Sequence, residues 1–260
     1  MKNVALITGA SSGIGQALAR IHAARGGDLV MVARREEKLN ELKGELEAKH
    51  GVQVLVLCQD LAEQNAAQDI HNAVIAAGIE VEYLINNAGF GGQGKFHDRP
   101  LEKDLEMIQV NVVALTALCK LFIPEFIQRN RGRILNVSSI ASLTPGPLQA
   151  VYFATKAFVT FLSNALAEEL SNTPITVTAL LPGVTATEFG KVSGMDQTNL
   201  FEQAVSAHSV AAEGYAAMLA GQLECLAGVS VLQKMMFAML PVVPKELMLK
   251  QMRKMQEISP

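Results

Sequence analysis

Short, continuous aliphatic runs recur along this chain, each followed by a longer helical pattern. That alternation restricts the available folds more than any other feature. Val4–Thr8, Asp28–Ala33, Val52–Cys58, Val81–Asn86, Arg133–Ser138 and Ile175–Leu181 read as six strands. They are apolar throughout rather than alternating in and out, as a parallel sheet covered on both faces requires. Between them lie helical patterns: Ile14–Arg25 with Ile14, Leu18 and Ile21 on one face, and Arg35–Lys49 with Leu39, Leu42 and Leu46 inward. Further helices are expected around Glu63–Ala77, over Glu102–Arg129 with a kink or local break at Pro124, and over Ala150–Leu170. Right-handed β-α-β units in this order build one doubly wound α/β sheet. A seventh strand is expected at Leu223–Ala227. With no Pro-, Gly- or Ser-rich linker and no internal repeat, residues 1–260 read as a single domain.

Composition removes several classes of function. Half the residues are hydrophobic, only 18% are charged, and the mean hydropathy is +0.24, which excludes disorder. A net charge of −3 argues against a nucleic-acid partner. Cys58, Cys119 and Cys225 form neither a disulfide framework nor a metal-ligand spacing, so a reducing cytoplasmic setting and buried thiols are expected. His22, His50, His71, His97 and His208 are scattered, and surface or helix-end positions are expected for most. No metal site is expected. The N-terminal apolar run is too short for a signal peptide. The uncharged stretch Ile134–Thr155 holds too much Ser, Thr and Pro for a membrane span, so a soluble chain is expected.

After the first strand comes Thr8-Gly9-Ala10-Ser11-Ser12-Gly13-Ile14-Gly15, leading directly into a helix. Glycines here allow a tight turn and let a pyrophosphate approach the helix N-terminus, where backbone N–H groups and the helix dipole hold an anion. The spacing differs from GxGxxG, and a glycine turn alone also suits an ordinary strand-to-helix connection. At the end of the second strand, a NAD-type site carries an acid, whereas an arginine accommodates a 2′-phosphate. Arg34-Arg35 stand there, with no acid before Glu36, which points to NADP(H). The plainer alternative is that both begin a solvated helix face.

Tyr152 and Lys156 lie four residues apart, on one helix face. An adjacent ammonium favours the phenolate and brings a phenol closer to acid–base work near neutral pH. The helix follows the fifth strand, whose carboxyl end carries Asn136-Val137-Ser138-Ser139, so Ser139 and Tyr152 can converge on one cleft. With these residues in view, the chain resembles the short-chain dehydrogenase/reductase family. The matching pieces are TGASSGIG at Thr8–Gly15, Asp60-Leu61, NNAG at Asn86–Gly89, Asn111, Ser139, Tyr152, Lys156 and Pro182-Gly183-Val184-Thr185-Ala186-Thr187. They follow the family's order over residues 1 to about 190.

The resemblance implies a Rossmann-like fold and roles for each position. Tyr152 would exchange a proton with the substrate oxygen, Ser139 would orient that oxygen, and Lys156 would bind the nicotinamide ribose and lower the Tyr152 pKa. Asn111 would hold a relay water. Gly9, Ser11, Ser12, Gly13, Ile14 and Gly15 would hold the phosphates, and Arg34 and Arg35 the 2′-phosphate. Asp60 and Leu61 would lie along the adenine, Asn87, Ala88 and Gly89 along the adenosine ribose and phosphates, and Pro182, Gly183, Val184, Thr185 and Thr187 around the nicotinamide amide. Ser138 reads as a strand-end residue instead.

The resemblance ends before residues 229–260, where a helical C-terminal extension is expected. Leu232, Met235, Met236, Met239 and Leu240 form one apolar face, interrupted by Pro241 and Pro244. A second helix carries Leu247, Met248, Met252 and Met255 beside Lys245, Lys250, Arg253 and Lys254. The extension can pack on its own domain or a neighbouring subunit, form an adaptable lid over a lipophilic substrate, or rest on an anionic membrane. The membrane reading is the weakest, because the basic excess over Glu246 and Glu257 is small.

The sequence therefore predicts a cytoplasmic NADP(H)-dependent oxidoreductase acting on a small-molecule carbonyl or alcohol. A homodimer or homotetramer is expected, paired through Glu102–Arg129 and Ala150–Leu170, with Phe158, Phe161 and Leu162 as contacts. The rivals are a 3-oxoacyl thioester (acyl-carrier) reductase and a non-catalytic NADP(H) sensor or scaffold.

Overall fold

The apolar runs do assemble into a parallel sheet. The computed structural model describes residues 1–195 and 204–257. Its strands are β1 (Val4–Thr8), β2 (Leu29–Ala33), β3 (Val54–Cys58), β4 (Val81–Asn86), β5 (Arg133–Val137) and β6 (Thr176–Pro182), with the short pair β7 (Thr185–Ala186) and β8 (Val205–Ser206), and then β9 (Glu224–Ala227). The main sheet has seven strands in the order β3-β2-β1-β4-β5-β6-β9. Leu6 of β1 stands in register with Val30 of β2 and Leu84 of β4. The order reverses between β1 and β4, and crevices at such switch points bind ligands in open α/β sheets.

The helices are α1 (Gly13–Ala24), α2 (Glu36–His50), α3 (Ala66–Ala76), α4 (Leu101–Ile108), α5 (Leu115–Arg129), α6 (Ala150–Glu169), α7 (Phe189–Ser193), α8 (Ala207–Leu219), α9 (Val231–Ala238) and α10 (Lys245–Gln256). They cover both faces and enclose two aliphatic cores. One centres on Leu6, Leu84, Phe122 and Phe126 under α3, α5 and α6; the other centres on Ile7, Leu18, Met31 and Leu39 under α1, α2 and α8. Residues Leu101–Arg129 and Ala150–Glu169 are long and apolar enough to cross a membrane by length and composition. Their inward faces, including Leu115, Leu118, Phe122 and Val159, belong to the first core.

Several expectations need correction. The helix expected over Glu102–Arg129 is not broken at Pro124, which sits inside α5 without ending it. The departure from α geometry is a π-type stretch, Gln109–Ala114, between α4 and α5. Helix α3 begins at Ala66 rather than near Glu63, because the Asp60 carboxylate accepts from the Ala62 N–H and holds 60–63 in a turn. The sequence reading gave no helix at 207–219, yet α8 buries Val210, Ala211, Tyr215 and Met218 behind an N-cap at Ser206.

Most of the scattered histidines do lie at the surface or a helix end, but several side chains are more engaged or more exposed than expected. His22 is buried, bonded to the Tyr215 hydroxyl at 2.7 Å and the Asn3 carbonyl at 2.7 Å; His71 pairs with Glu125 at 2.6 Å. Of the cysteines, Cys119 is buried but Cys58 is exposed. Phe158 and Phe161 face outward, whereas Leu162 leans on the core. The last three residues of the expected extension lie outside the described residues.

Candidate active site

The carboxyl ends of β1, β2, β4, β5 and β6 open onto one cleft of about 690 Å³. At its base the Thr8 hydroxyl accepts from the N–H groups of Asn87 and Ala88, both at 3.0 Å, while the Asn87 amide donates back to the Thr8 carbonyl at 2.9 Å. This clasp joins the glycine turn to the strand β4 exit. Gly9 adopts φ +66, and a Cβ there would lie 2.7 Å from Asn87 Nδ2. Gly15 does not line the cleft. It lets α1 pack against the turn, since a Cβ would collide with Asn87 and the Gly9 carbonyl. Ser12, at the N-cap of α1, makes no capping bond of its own.

The remaining predicted cofactor residues gather on the same wall. Ser11, Ser12, Gly13, Ile14, Arg34, Arg35, Asp60 and Leu61 line one end; Asn87, Ala88 and Gly89 lie along the floor; Pro182, Gly183, Val184, Thr185 and Thr187 edge the far side. Leu61 is mostly absorbed by the core, and the Thr185 hydroxyl turns back onto the Gly183 carbonyl at 2.8 Å. Arg35 donates to Ser11 Oγ at 3.2 and 3.3 Å. Arg34 stands 3.7 Å from Asp60 and 3.9 Å from Glu106. A glycine turn at a helix N-terminus, with two guanidinium groups at the end of β2, suits a phosphorylated dinucleotide.

Helix α6 delivers the other predicted residues. Lys156 is only 5% exposed, and its Nζ donates to the Val137 carbonyl at 2.8 Å and lies 5.9 Å from the centre of the Tyr152 ring. Burial pulls the ammonium down to about 8 and pushes the Tyr152 phenol up to about 12. The opposing influence on the phenol is a hydrogen bond with Ser139, not the lysine as expected from the sequence. The reason is geometric: the ammonium is committed to Val137 and sits beneath the ring face. Ser139 caps a short 3₁₀ turn by accepting from Ala141 N–H at 3.1 Å. Ser138 faces away, bonded to Lys156 O and Thr160 Oγ1, as a strand-end residue.

Asn111 is buried and does not line the cleft. Its amide is bonded to the Phe90 N–H at 3.1 Å, the Phe90 carbonyl at 3.0 Å and Thr155 Oγ1 at 3.1 Å. The π-type stretch turns this side chain toward the cleft wall, so Asn111 is a positioning residue for the Phe90 loop and α6. Among the described residues, no three His, Cys, Asp or Glu side chains gather to hold a metal ion.

The extension's Met236, Leu240, Met252 and Met255 do line the cleft, as the lid reading expects, while Phe189, Gln149, Phe237 and Gln256 are lining residues that carried no signal in the sequence. Phe189 of α7 packs 5.3 Å from the Tyr152 ring, ring centre to ring centre. Met252 of α10 rests on the cluster of Met107, Ala141, Tyr152 and Phe153. Gln149 donates to Gln256 Oε1 at 2.9 Å, and Gln93 hydrogen-bonds the Gln256 carbonyl, which pins the end of α10. Leu148, just before Gln149, holds a left-handed φ of 67. From α9, Met236 and Phe237 face the cleft, with Leu240 just beyond. The Tyr152 end is thus an apolar chamber roofed by side chains of α9 and α10. A phenol, a hydroxyl and a buried ammonium there can exchange a proton with a bound oxygen.

A family model for short chain dehydrogenases matches residues 3–198. The chain belongs to the short-chain dehydrogenase family. A very-long-chain 3-oxoacyl-CoA reductase of Anas platyrhynchos is 35% identical over 195 residues, which are 73% of this chain and 62% of that protein. This chain therefore spans about three fifths of that relative's length. An uncharacterised oxidoreductase of Staphylococcus epidermidis is 30% identical over 212 residues, 79% of this chain and 90% of that one. Among solved structures, one from a study of 7β-hydroxysteroid dehydrogenase stereoselectivity superposes with a TM-score of 0.86, at 29% identity, over 96% of both chains. A short-chain dehydrogenase from Sphingobium yanoikuyae in complex with NADPH gives 0.83 at 32% identity, over 94% of each.

Proposed function

We propose that this short-chain dehydrogenase is an NADP(H)-dependent oxidoreductase that interconverts a carbonyl and a secondary alcohol on an apolar small molecule. The observation that carries the reading is the meeting of Tyr152, Ser139 and Lys156 in the cleft that the glycine turn also lines. When bound, NADP(H) supplies or accepts the hydride at its nicotinamide ring. The protein's residues handle the proton. In reduction, Ser139 orients the carbonyl oxygen and the Tyr152 hydroxyl donates its proton as the C–H bond forms; in oxidation, the phenolate takes the proton back. Lys156, whose ammonium donates to the Val137 carbonyl 5.9 Å from the Tyr152 ring centre, would hold the nicotinamide ribose beside the phenol. Arg34, Arg35 and Ser11, which line one end of the cleft, would hold the 2′-phosphate.

An apolar substrate follows from Phe153, Phe189, Met236, Met252 and Met255 around the chamber. Methionine side chains repack around varied shapes. A second reading, reduction of 3-oxoacyl thioesters, is supported by the 35% identity to the Anas platyrhynchos reductase. We also propose a cytoplasmic homo-oligomer paired through α5 and α6, where Phe161 is 72% exposed.

Purified protein assayed with NADPH against bulky ketones, steroid ketones and 3-oxoacyl thioesters tests the function. Turnover of a ketone or thioester, lost in Tyr152→Phe with NADPH binding retained, is expected. Full activity in Tyr152→Phe would overturn the assignment, and absence of turnover on every class would favour a cofactor sensor.

A further inference from the structure

The arginines at the end of β2 are not free cations. Arg35 is engaged by Glu188, with Nη2–Oε2 at 2.8 Å and Nη1–Oε1 at 3.1 Å, and Glu188 comes from the loop between β7 and α7, 153 residues away. This contact holds the carboxyl below its usual range, with a further hydrogen bond from Ser12. Ser12 is the uncapped N-cap of α1, and Ser11 shares Arg35. All four residues line the cleft. One carboxylate thus reaches the same side chains that a phosphate would use. Arg34 has weaker acidic neighbours, Asp60 and Glu106, at 3.7 and 3.9 Å.

We propose that Glu188 is an internal anion in the phosphate cradle, competing with the cofactor's 2′-phosphate for Arg35 and setting how strongly this chain prefers NADP(H) to NAD(H). The inference rests on the NADP(H) reading above. A fixed carboxylate and a phosphate cannot share one guanidinium without like-charge repulsion, so binding must displace Glu188 from Arg35. The pair is half exposed, so its effect on affinity is modest. Glu188 adjoins Phe189, whose ring packs on Tyr152, so the displaced carboxylate is one peptide bond from the chamber wall.

The test is equilibrium titration of the full-length protein with NADPH and with NADH, followed by calorimetry or nicotinamide fluorescence, for wild type, Glu188→Gln and Arg35→Ala. Glutamine is nearly isosteric and leaves the fold intact, as circular dichroism will verify. Glu188→Gln is expected to tighten NADPH about two- to five-fold and to change NADH little. Unchanged or weaker NADPH binding in Glu188→Gln, with Arg35→Ala weakening NADPH, overturns the competitor role and leaves the cofactor reading standing. Weaker binding would mean that Glu188 merely orients Arg35. No loss of NADPH affinity in Arg35→Ala would instead overturn the cofactor reading itself.

Discussion

Removing the buried charge of Lys156 should make the protein more stable while destroying its activity. The ammonium is 5% exposed, and among the described residues no carboxylate offsets it; burial alone carries its pKa from 10.5 down to about 8. At 1.36 kcal/mol per pH unit, that drop corresponds to roughly 3 kcal/mol against the charged form in the folded state. Lys156→Met keeps the aliphatic stem and removes this cost, but it also loses the bond to the Val137 carbonyl, worth ~1–2 kcal/mol. The net gain is about 1–2 kcal/mol at pH 7, or roughly 2–8 °C in Tm for a domain of this size. The sign against pH follows from linkage. Between about 8 and 10.5 the unfolded lysine keeps a proton that the folded one has released, so wild-type stability rises with pH across that window. The advantage of Lys156→Met is therefore largest below pH 8 and shrinks toward pH 10.5. Thermal unfolding of both proteins at pH 6.5, 7.5, 8.5 and 9.5, with turnover measured in parallel, checks it. A lower Tm for Lys156→Met at pH 7, or a difference that does not change with pH, would refute the reasoning.

Two further outcomes follow from the same geometry. Asn111→Ala leaves the Phe90 N–H and carbonyl without these partners and removes one of the two bonds of the Thr155 hydroxyl, so it should cost about 1–3 kcal/mol in chemical denaturation and lower turnover by loosening the Phe90 loop. A wild-type denaturation midpoint would show that Asn111 does not hold that loop. Ending the chain after Pro244 removes Met252 and Gln256 from the chamber, so KM for apolar ketones should rise at least ten-fold while NADPH affinity stays within two-fold. An unchanged KM would detach α10 from substrate binding.

What the sequence disclosed and what it hid divide along a physical line. Strands β1 to β6 were legible because each is a short, largely aliphatic run, fully buried in β1 and only partly buried in the edge strand β3, and that pattern is local. So were the glycine turn and the Tyr152–Lys156 spacing, where one helix turn fixes the geometry. Helix α8 was missed although Val210, Ala211, Gly214, Tyr215 and Met218 do lie on one face; alanine-rich and nearly uncharged, it lacks the polar contrast that marks an amphipathic helix. The π-type stretch carries the sequence Gln-Val-Asn-Val-Val-Ala, which reads as ordinary helix, so nothing local signalled that Asn111 would be redirected. The pairs Arg35–Glu188, Gln149–Gln256 and His71–Glu125 span 153, 107 and 54 residues. No periodicity encodes contacts at that range. They exist only once the sheet has brought its carboxyl ends together.

The two ends of the cleft consequently differ in how firmly the fold determines them. The phosphate end is made of backbone at strand exits, locked by Thr8 and Asn87, and cannot move without disturbing the sheet. The chamber end is roofed by side chains of α9 and α10. Packed against the described residues, α9 buries none of its eight side chains, and Leu232, Met235 and Met239 all face outward. A helix that short is marginal in water even with a complete cap, and the Ser230–Gln233 capping box supplies about 1 kcal/mol at most. The remaining support comes from Met236 and Phe237 at the cleft, where an apolar ligand would add buried area at roughly 25 cal/mol per Å². Of the two packing partners expected for the extension, its own domain or a neighbouring subunit, α10 uses the first, through Met248 and Gln256, while α9 meets its own domain only along the cleft. The roof of the chamber is the part of this dehydrogenase whose position a bound substrate can influence most, and the cofactor cradle the part it can influence least.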